Sequence, residues 1–400
     1  MQTDFECSGA SPNRWVVDYC VEQSRRRNRP WQMDSPVRNA LCLSGGGYRA
    51  MLFHTGVLIR LNELGILKKL SRVSSVSGGS ITAGLLGMTW KRLTFDAKGV
   101  ATNLDQLVVQ PIRKVAGTSI DTQSVIGGVF WRGSVSDWVA AKYAEILFGE
   151  ATLQDLPSDA EGPRFVFNAT NVQSGALVRM SKPYVRDYRV GAIFDMPLLL
   201  SKAVAASSAF PPVLSPMEID VNPADFKPDP GCDLNRVPFT DTLVLADGGV
   251  YDNLGMETIW KRYSTLLVSD AGARIHPEGE PSHDWARHSM RILEIVDDQV
   301  RNLRKRHLLD LHNTKQCRGA YWGIRTNIAD YQLADALPCD IAKTTELSMT
   351  PTRLRKLSDE LQQQLMNWGK AGLLKIWGCG GNELIPVLFR RGGFEVSLAE

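Results

Sequence analysis

Most features that announce a specialised class of protein are scarce or absent in this chain of 400 residues. The seven cysteines, Cys7, Cys20, Cys42, Cys232, Cys317, Cys339 and Cys379, are odd in number, scattered and without a C-x-x-C pair. That pattern excludes a disulfide framework or zinc ribbon and favours reduced thiols in a cytoplasmic protein. Lysine and arginine number 46 against 43 acidic residues, a formal charge of +3. So small an excess does not argue for nucleic acid, and no nucleic-acid-binding motif is present. No stretch approaches the roughly eighteen uninterrupted apolar residues of a membrane span. The start, Met-Gln-Thr-Asp-Phe-Glu, has neither the basic nor the apolar part of a secretory signal. The expectation is therefore a cytoplasmic protein, or one exported by a route that leaves no such mark. There is no EF-hand loop and no carboxylate cluster, so neither calcium nor any other metal is implied. A G-K-[ST] P-loop and G-x-G-x-x-G spacing are missing too, which disfavours a phosphate-binding module. What remains is ordinary globular composition, 44% apolar and 22% charged, in a chain long enough for one large or two medium domains.

The informative stretch runs from Ala40 to Gly84. Ala40 to Leu43 is a short apolar run, followed by Gly45-Gly46-Gly47-Tyr48-Arg49 and an amphipathic segment to about Leu64. A second strand near Arg72 to Val76 then enters Ser77-Gly78-Gly79 and a small-residue helix. Strand, glycine turn, helix, strand, sharp turn and helix is the alternation of a parallel sheet with helices on its faces. Both turns fall at carboxyl ends of strands, where such sheets carry their chemistry. Consecutive glycines entering a helix leave backbone N–H groups able to face an anion. Ser75-Val76-Ser77-Gly78-Gly79 approximates the G-x-S-x-G nucleophile elbow, with Ser75 in place of the leading glycine. A helix-capping serine is the plain alternative for Ser77.

Further along, Leu243-Val-Leu-Ala-Asp247-Gly248-Gly249 places an aspartate at the end of an apolar strand and the mouth of a glycine turn. Together, the Gly45 to Arg49 turn, Ser77-Gly78-Gly79 about thirty residues later and the Asp247 turn resemble the patatin-like phospholipase family, which is related to cytosolic phospholipase A2. Ala203 to Pro216 is similar to that family's small-residue helix and proline turn. The resemblance covers roughly residues 40 to 260. It implies a three-layer α/β fold, a mostly parallel central sheet with helices on both faces and a carboxyl-terminal helical extension. It also implies a lipid acyl hydrolase acting through an acyl-serine and a Ser-Asp dyad, with no cofactor. In that reading Ser77 is the nucleophile, Asp247 the base, and Gly45, Gly46 and Gly47 the oxyanion donors. Arg49, Gly78, Gly79, Gly248 and Gly249 support them. The expected partner is a phospholipid or related lipid ester, with peripheral membrane contact; activator and oligomeric state are open.

Asp241, Asp252 and Asp270 compete with Asp247, and Asp270 also ends an apolar strand. An α/β-hydrolase triad could nominally draw on His276, His283, His288, His307 or His312, although that fold places more strand-helix units between oxyanion loop and elbow. A silent binding scaffold of the same fold is the remaining alternative. His54 reads as a helix-face residue.

The expected organisation is a polar arm over 1–38, a catalytic domain over 39–275 and an extension over 276–400 packed on it. The arm carries Arg25, Arg26, Arg27 and Arg29, a solvated surface or an anionic-lipid contact. Aromatic residues in Val129 to Gly133 and Trp138 to Phe148 read as core or as a rim for acyl chains. Pro163 to Met180 reads as two strands around Asn171 to Gly175. A helix over about Trp285 to His312 aligns Met290, Leu293, Val296, Val300, Leu303 and Leu311, and is expected to pack that face on the sheet. Its basic cluster, Arg301, Arg304, Lys305 and Arg306, then reads as solvated. Leu354 to Trp368 marks a last helix.

Overall fold

The strands nearest the glycine turns are buried at nearly every position, and the computed structural model explains why. It describes residues 38–120, 134–273, 275–328 and 340–372. The arginine run of the arm and Val129 to Gly133 lie outside them. Strand β1 (Asn39–Leu43) is flanked by β2 (Leu70–Ser75) and β10 (Thr265–Asp270), both parallel to it. Leu41, Leu43 and Leu267 point into one apolar cluster, while Ala40, Cys42, Leu266 and Val268 point into another on the opposite face. A sheet buried on both sides needs apolar residues at odd and even positions alike.

The remaining strands are β3 (Arg164–Asn171), β4 (Ala176–Ser181), β5 (Tyr184–Asp187), β6 (Gly191–Phe194), β7 (Met217–Asp220), β8 (Phe226–Lys227), β9 (Thr242–Asp247) and β11 (Arg318–Gly323). The sheet order is β11-β10-β1-β2-β3-β4-β5-β6-β8, parallel from β11 to β3 and antiparallel beyond. The central sheet is thus mixed, within the expected layered α/β architecture. Its hairpin of β3 and β4 turns at 172–175, where two strands were expected.

Helices α1 (Gly47–Glu63), α2 (Gly78–Thr89), α3 (Gln110–Ala116), α4 (Val135–Tyr143) and α5 (Leu200–Ser207) precede the short α6 (Gly249–Asp252). Helices α7 (Trp285–Asn313), α8 (Ile341–Ser348) and α9 (Asp359–Gly372) follow β10. Tyr143 and Phe148 are buried in the main core, as expected of that aromatic stretch. Helix α9 lies on α1 at very close range: a Cβ at Gly56 would come within 1.9 Å of the Met366 carbonyl, and one at Gly369 within 1.9 Å of that of Phe53. It starts at Asp359, so Leu354 and Leu357 belong to a preceding strap, not to the helix.

Helix α7 corrects an expectation. Leu308 and Leu311 are buried, but Val296 is 50% and Leu303 58% exposed. The cations turn inward instead. Lys305 Nζ is 2.8 Å from Asp270, Arg301 pairs with Asp298 at 3.1 Å, and Arg304 with Glu257 at 2.7 Å. Only Arg306 of the cluster is classed as exposed. The carboxylates that neutralise these cations sit mostly on other elements, so helical periodicity alone assigns the wrong face.

Candidate active site

Strand β3 is the element on which the candidate residues converge. Its first half pairs in parallel with β2, ending with Ser75 opposite Phe167. Its second half pairs along the same edge with β9, now antiparallel, ending with Asp247 opposite Ala169. Two strands running toward each other on one edge bring their carboxyl ends together, and with them Ser77 and Asp247, 170 residues apart in sequence.

Ser77 occupies the junction of β2 and α2 with φ 51° and ψ −122°, a conformation L-residues seldom adopt and one that costs about 1–3 kcal/mol. Close packing holds it there. A Cβ at Gly78 would lie 2.1 Å from the Gly47 carbonyl oxygen, and one at Gly79 2.5 Å from that of Leu43. The glycines after the serine are therefore required for the elbow to nest on the glycine loop. Ser75, the departure from the elbow pattern, is buried, donates to the Val166 carbonyl at 3.2 Å and accepts from Ser80 Oγ at 3.0 Å. Its hydroxyl is satisfied, so a glycine is not needed there.

The Asp247 carboxyl is buried and faces the Ser77 hydroxyl. Desolvation is the chief cause of a pKa raised to about 7. The Gly249 N–H, bonded at 2.6 Å, and Ser77 draw it down, while Asp297 pushes it up. A Cβ at Gly248 would clash with the Asn168 carbonyl at 2.3 Å, so the turn admits only glycine without rearrangement.

Among the described residues, no carbonyl accepts from the N–H groups of Gly46, Gly47 or Gly78. The N–H of Gly45 is engaged, donating to the Asn253 carbonyl at 3.2 Å and to Asn253 Oδ1 at 3.0 Å. Gly45 as an oxyanion donor is therefore corrected: its amide is spoken for, and its contribution is closeness, a Cβ there being 3.2 Å from Ser77 Cβ. Gly46 and Gly47 have positive φ, 140° and 58°, as the turn demands. Arg49 is buried, donating to the carbonyls of Ala271, at 3.0 Å, and Thr350, with its Nη2 2.9 Å from a Cβ at Gly46. Tyr48 N–H donates to the Arg353 carbonyl at 3.1 Å. The loop is thus gripped by the strap before α9. The amino ends of α1 and α2 both open at this point, favouring negative charge.

Two residues unremarked in the sequence complete the scaffold. Ser207, the last residue of α5, accepts through its carbonyl from Ser77 N–H at 3.1 Å and Gly248 N–H at 3.3 Å, while its hydroxyl donates to the Asn168 carbonyl at 2.7 Å. Asn168 Nδ2 donates to Ser74 Oγ and to the Ser75 carbonyl, each at 2.9 Å. Elbow and aspartate turn are therefore fixed to a common frame. Ser207 lay within the small-residue helix of the sequence pattern, whose composition gave no sign of this role.

The competing groups are differently occupied. Asp270 is held well below the usual carboxylate range by Lys305, Arg301 and Arg325 despite its burial, and accepts from Tyr321 Oη at 2.6 Å. Asp252 accepts from the Glu257 N–H at 2.6 Å, and Asp241 precedes β9, away from the carboxyl end. His54 is buried, its Nε2 donating to the Ser44 carbonyl at 3.0 Å and its Nδ1 accepting from Ser269 Oγ at 2.9 Å. Burial lowers its pKa to about 4, so it is neutral. His276, His283 and His288 are exposed, His307 stacks edge-on against Trp260, and no histidine is among the groups that shift Asp247.

A layered α/β fold with an elbow and a glycine loop on one sheet end defines the broad class. Residues 41–260, more than half of the chain, match the family model described as patatin-like phospholipase, and the chain belongs to that family. No curated protein matches it. Among solved structures, human GIVD cytosolic phospholipase A2 is similar at 13% identity, covering 90% of this chain and 61% of its own, with a TM-score of 0.50. The same human protein in complex with methyl gamma-linolenyl fluorophosphonate gives 14% identity, 89% and 60% coverage and a TM-score of 0.48. VipD from Legionella pneumophila gives 16%, 83% and 67%, with 0.33. The first of these likenesses shows a shared fold. The chain spans about three fifths of the length of the human phospholipase chains it matches.

Proposed function

We propose that this member of a lipid-hydrolase family is a phospholipase A-type acyl hydrolase that cleaves ester-linked fatty acids through a Ser77-Asp247 dyad. The observation that carries this reading is the half-buried Ser77 hydroxyl facing a buried carboxyl whose pKa is about 7. A base poised near neutrality can both accept and return a proton.

Ser77 Oγ attacks the ester carbonyl as Asp247 takes its proton. The oxyanion of the tetrahedral intermediate is met by the N–H groups of Gly46 and Gly47, with Gly78 beside them; one such donor contributes roughly 3–4 kcal/mol. The intermediate collapses to acyl-serine as the alcohol leaves with the proton from Asp247. Water then attacks the acyl carbon, giving its proton to Asp247, and the fatty acid departs as Ser77 recovers that proton. The substrate is a phospholipid or related lipid ester met at a membrane surface by a cytoplasmic, peripherally binding enzyme. Among the described residues, no helix is long and apolar enough to cross a membrane.

The test is a lipid-ester panel incubated with wild type and Ser77→Ala, read by mass spectrometry for free fatty acid and lysolipid. Wild type is expected to release both, and the variant neither. A fluorophosphonate should label wild type at Ser77 alone. Hydrolysis surviving in Ser77→Ala would overturn the proposal.

A further inference from the structure

Asn253 and Asp297 take no part in the proposed chemistry, yet they touch its components. Asn253 directs two acceptors, its carbonyl and Oδ1, at the single N–H of Gly45, so the loop's first peptide is held from two sides. A Cβ at Gly45 would be 3.1 Å from Asn253 Oδ1 and 3.2 Å from Ser77 Cβ, so amide, loop and elbow are in contact. On its other side, Asn253 Nδ2 donates to Asp297 Oδ1 of α7 at 3.0 Å. An asparagine amide can turn either end to a neighbour, and its reversed orientation would set an N–H against the Gly45 N–H. Burial raises the Asp297 pKa and Arg301 draws it down; in its ionised form the carboxylate only accepts, and so admits one orientation.

We propose that Asp297 is a positioning residue for acyl transfer, acting through Asn253 on the Gly45 to Gly47 loop and through space on the carboxylate of Asp247. This rests on the Ser77-Asp247 reading. Asp297 is largely buried, and its surroundings are mixed: Arg301 and Asp298 from its own helix, Asp270 from the end of β10, and Asn253 from the turn after α6. Asp247 in turn faces Ser77, the Gly249 N–H and Tyr143 of α4. The negative charge of Asp297 opposes ionisation of Asp247. Removing that charge favours the ionised base.

Asp297→Asn keeps an oxygen for Asn253 Nδ2 while deleting the charge. The expected result, with a soluble p-nitrophenyl ester, is an acid limb of kcat/KM displaced to lower pH at unchanged KM. Asp297→Ala removes the orienting acceptor as well and should lower kcat by ~10-fold or more, again with little change in KM. Circular dichroism and the thermal midpoint report folding separately. A merely structural residue would move the midpoint and leave the pH profile in place. An acid limb of Asp297→Asn that superimposes on wild type, with Ser77 labelled by the fluorophosphonate in both, overturns the proposal alone. Absence of label at Ser77 in wild type overturns the dyad and the proposal with it.

Discussion

Asp247→Asn should abolish turnover and stabilise the protein, and the two effects have one origin. The ordinary aspartate pKa of 3.8 is raised to about 7 in the folded chain, chiefly by desolvation. Asparagine keeps an oxygen for the Gly249 N–H and an amide for Ser77, so the change is close to isosteric. Between about pH 4 and 7 the unfolded chain has released this proton while the folded chain still holds it, so wild-type stability falls as pH rises. The fall ends once the folded group has ionised above pH 7. A raise of about three units at 1.36 kcal/mol each makes the total about 4 kcal/mol. The asparagine variant has no such slope. Urea unfolding of both proteins from pH 4 to 9 is the assay. The curves should coincide near pH 4, diverge toward pH 7 and run parallel above it, with the variant more stable. In the same range wild-type kcat/KM should rise about tenfold per pH unit below an apparent pKa near 7 and level off above it. A variant no more stable than wild type at pH 9, or a rate that is flat from pH 5 to 8, would refute the reasoning.

Gly45→Ala introduces a Cβ at 3.1 Å from Asn253 Oδ1 and 3.2 Å from Ser77 Cβ, so both must yield by a few tenths of an ångström. Activity is expected to fall ~10- to 100-fold with the thermal midpoint little changed, and unaltered kcat/KM would count against a contact role for this glycine. Asp270→Asn strands the mostly buried Lys305 and should cost ~3–5 kcal/mol in urea unfolding, part of which Asp270→Asn combined with Lys305→Met restores. A stable but inactive Asp270→Asn would instead return Asp270 to candidacy as the base.

The glycine turns, the elbow and the strand ending at Asp247 were legible because each is a local pattern: apolar residues, then small ones, then a helix. Their convergence was not. It depends on β3, whose segment read as two strands of purely structural meaning, yet whose one edge carries β2 and β9 end to end. The commitment of the Gly45 amide was equally hidden, because it is made by Asn253, 208 residues away. Helix α7 shows the limit of periodicity most clearly. A stripe of Val296 and Leu303 promises a buried face until the acidic residues opposite Arg304 and Lys305 are known. Pairing between distant charges leaves no mark on spacing, so the helix was legible and its orientation was not.

The strap at Thr350 to Arg353 gives the order of synthesis a meaning. Residues through Asp247 already contain serine, glycine loop and aspartate, and the family match ends at residue 260. The Ala271 carbonyl reaches Arg49 soon after, but the second carbonyl on Arg49 and the one that caps Tyr48 arrive about ninety residues beyond the match, from Thr350 and Arg353. A chain still emerging from the ribosome therefore carries every proposed catalytic group before it carries the whole brace for its loop. A product cut short ahead of the strap would hold Ser77, Asp247 and the glycines with the loop secured only through Asn253 and Ala271.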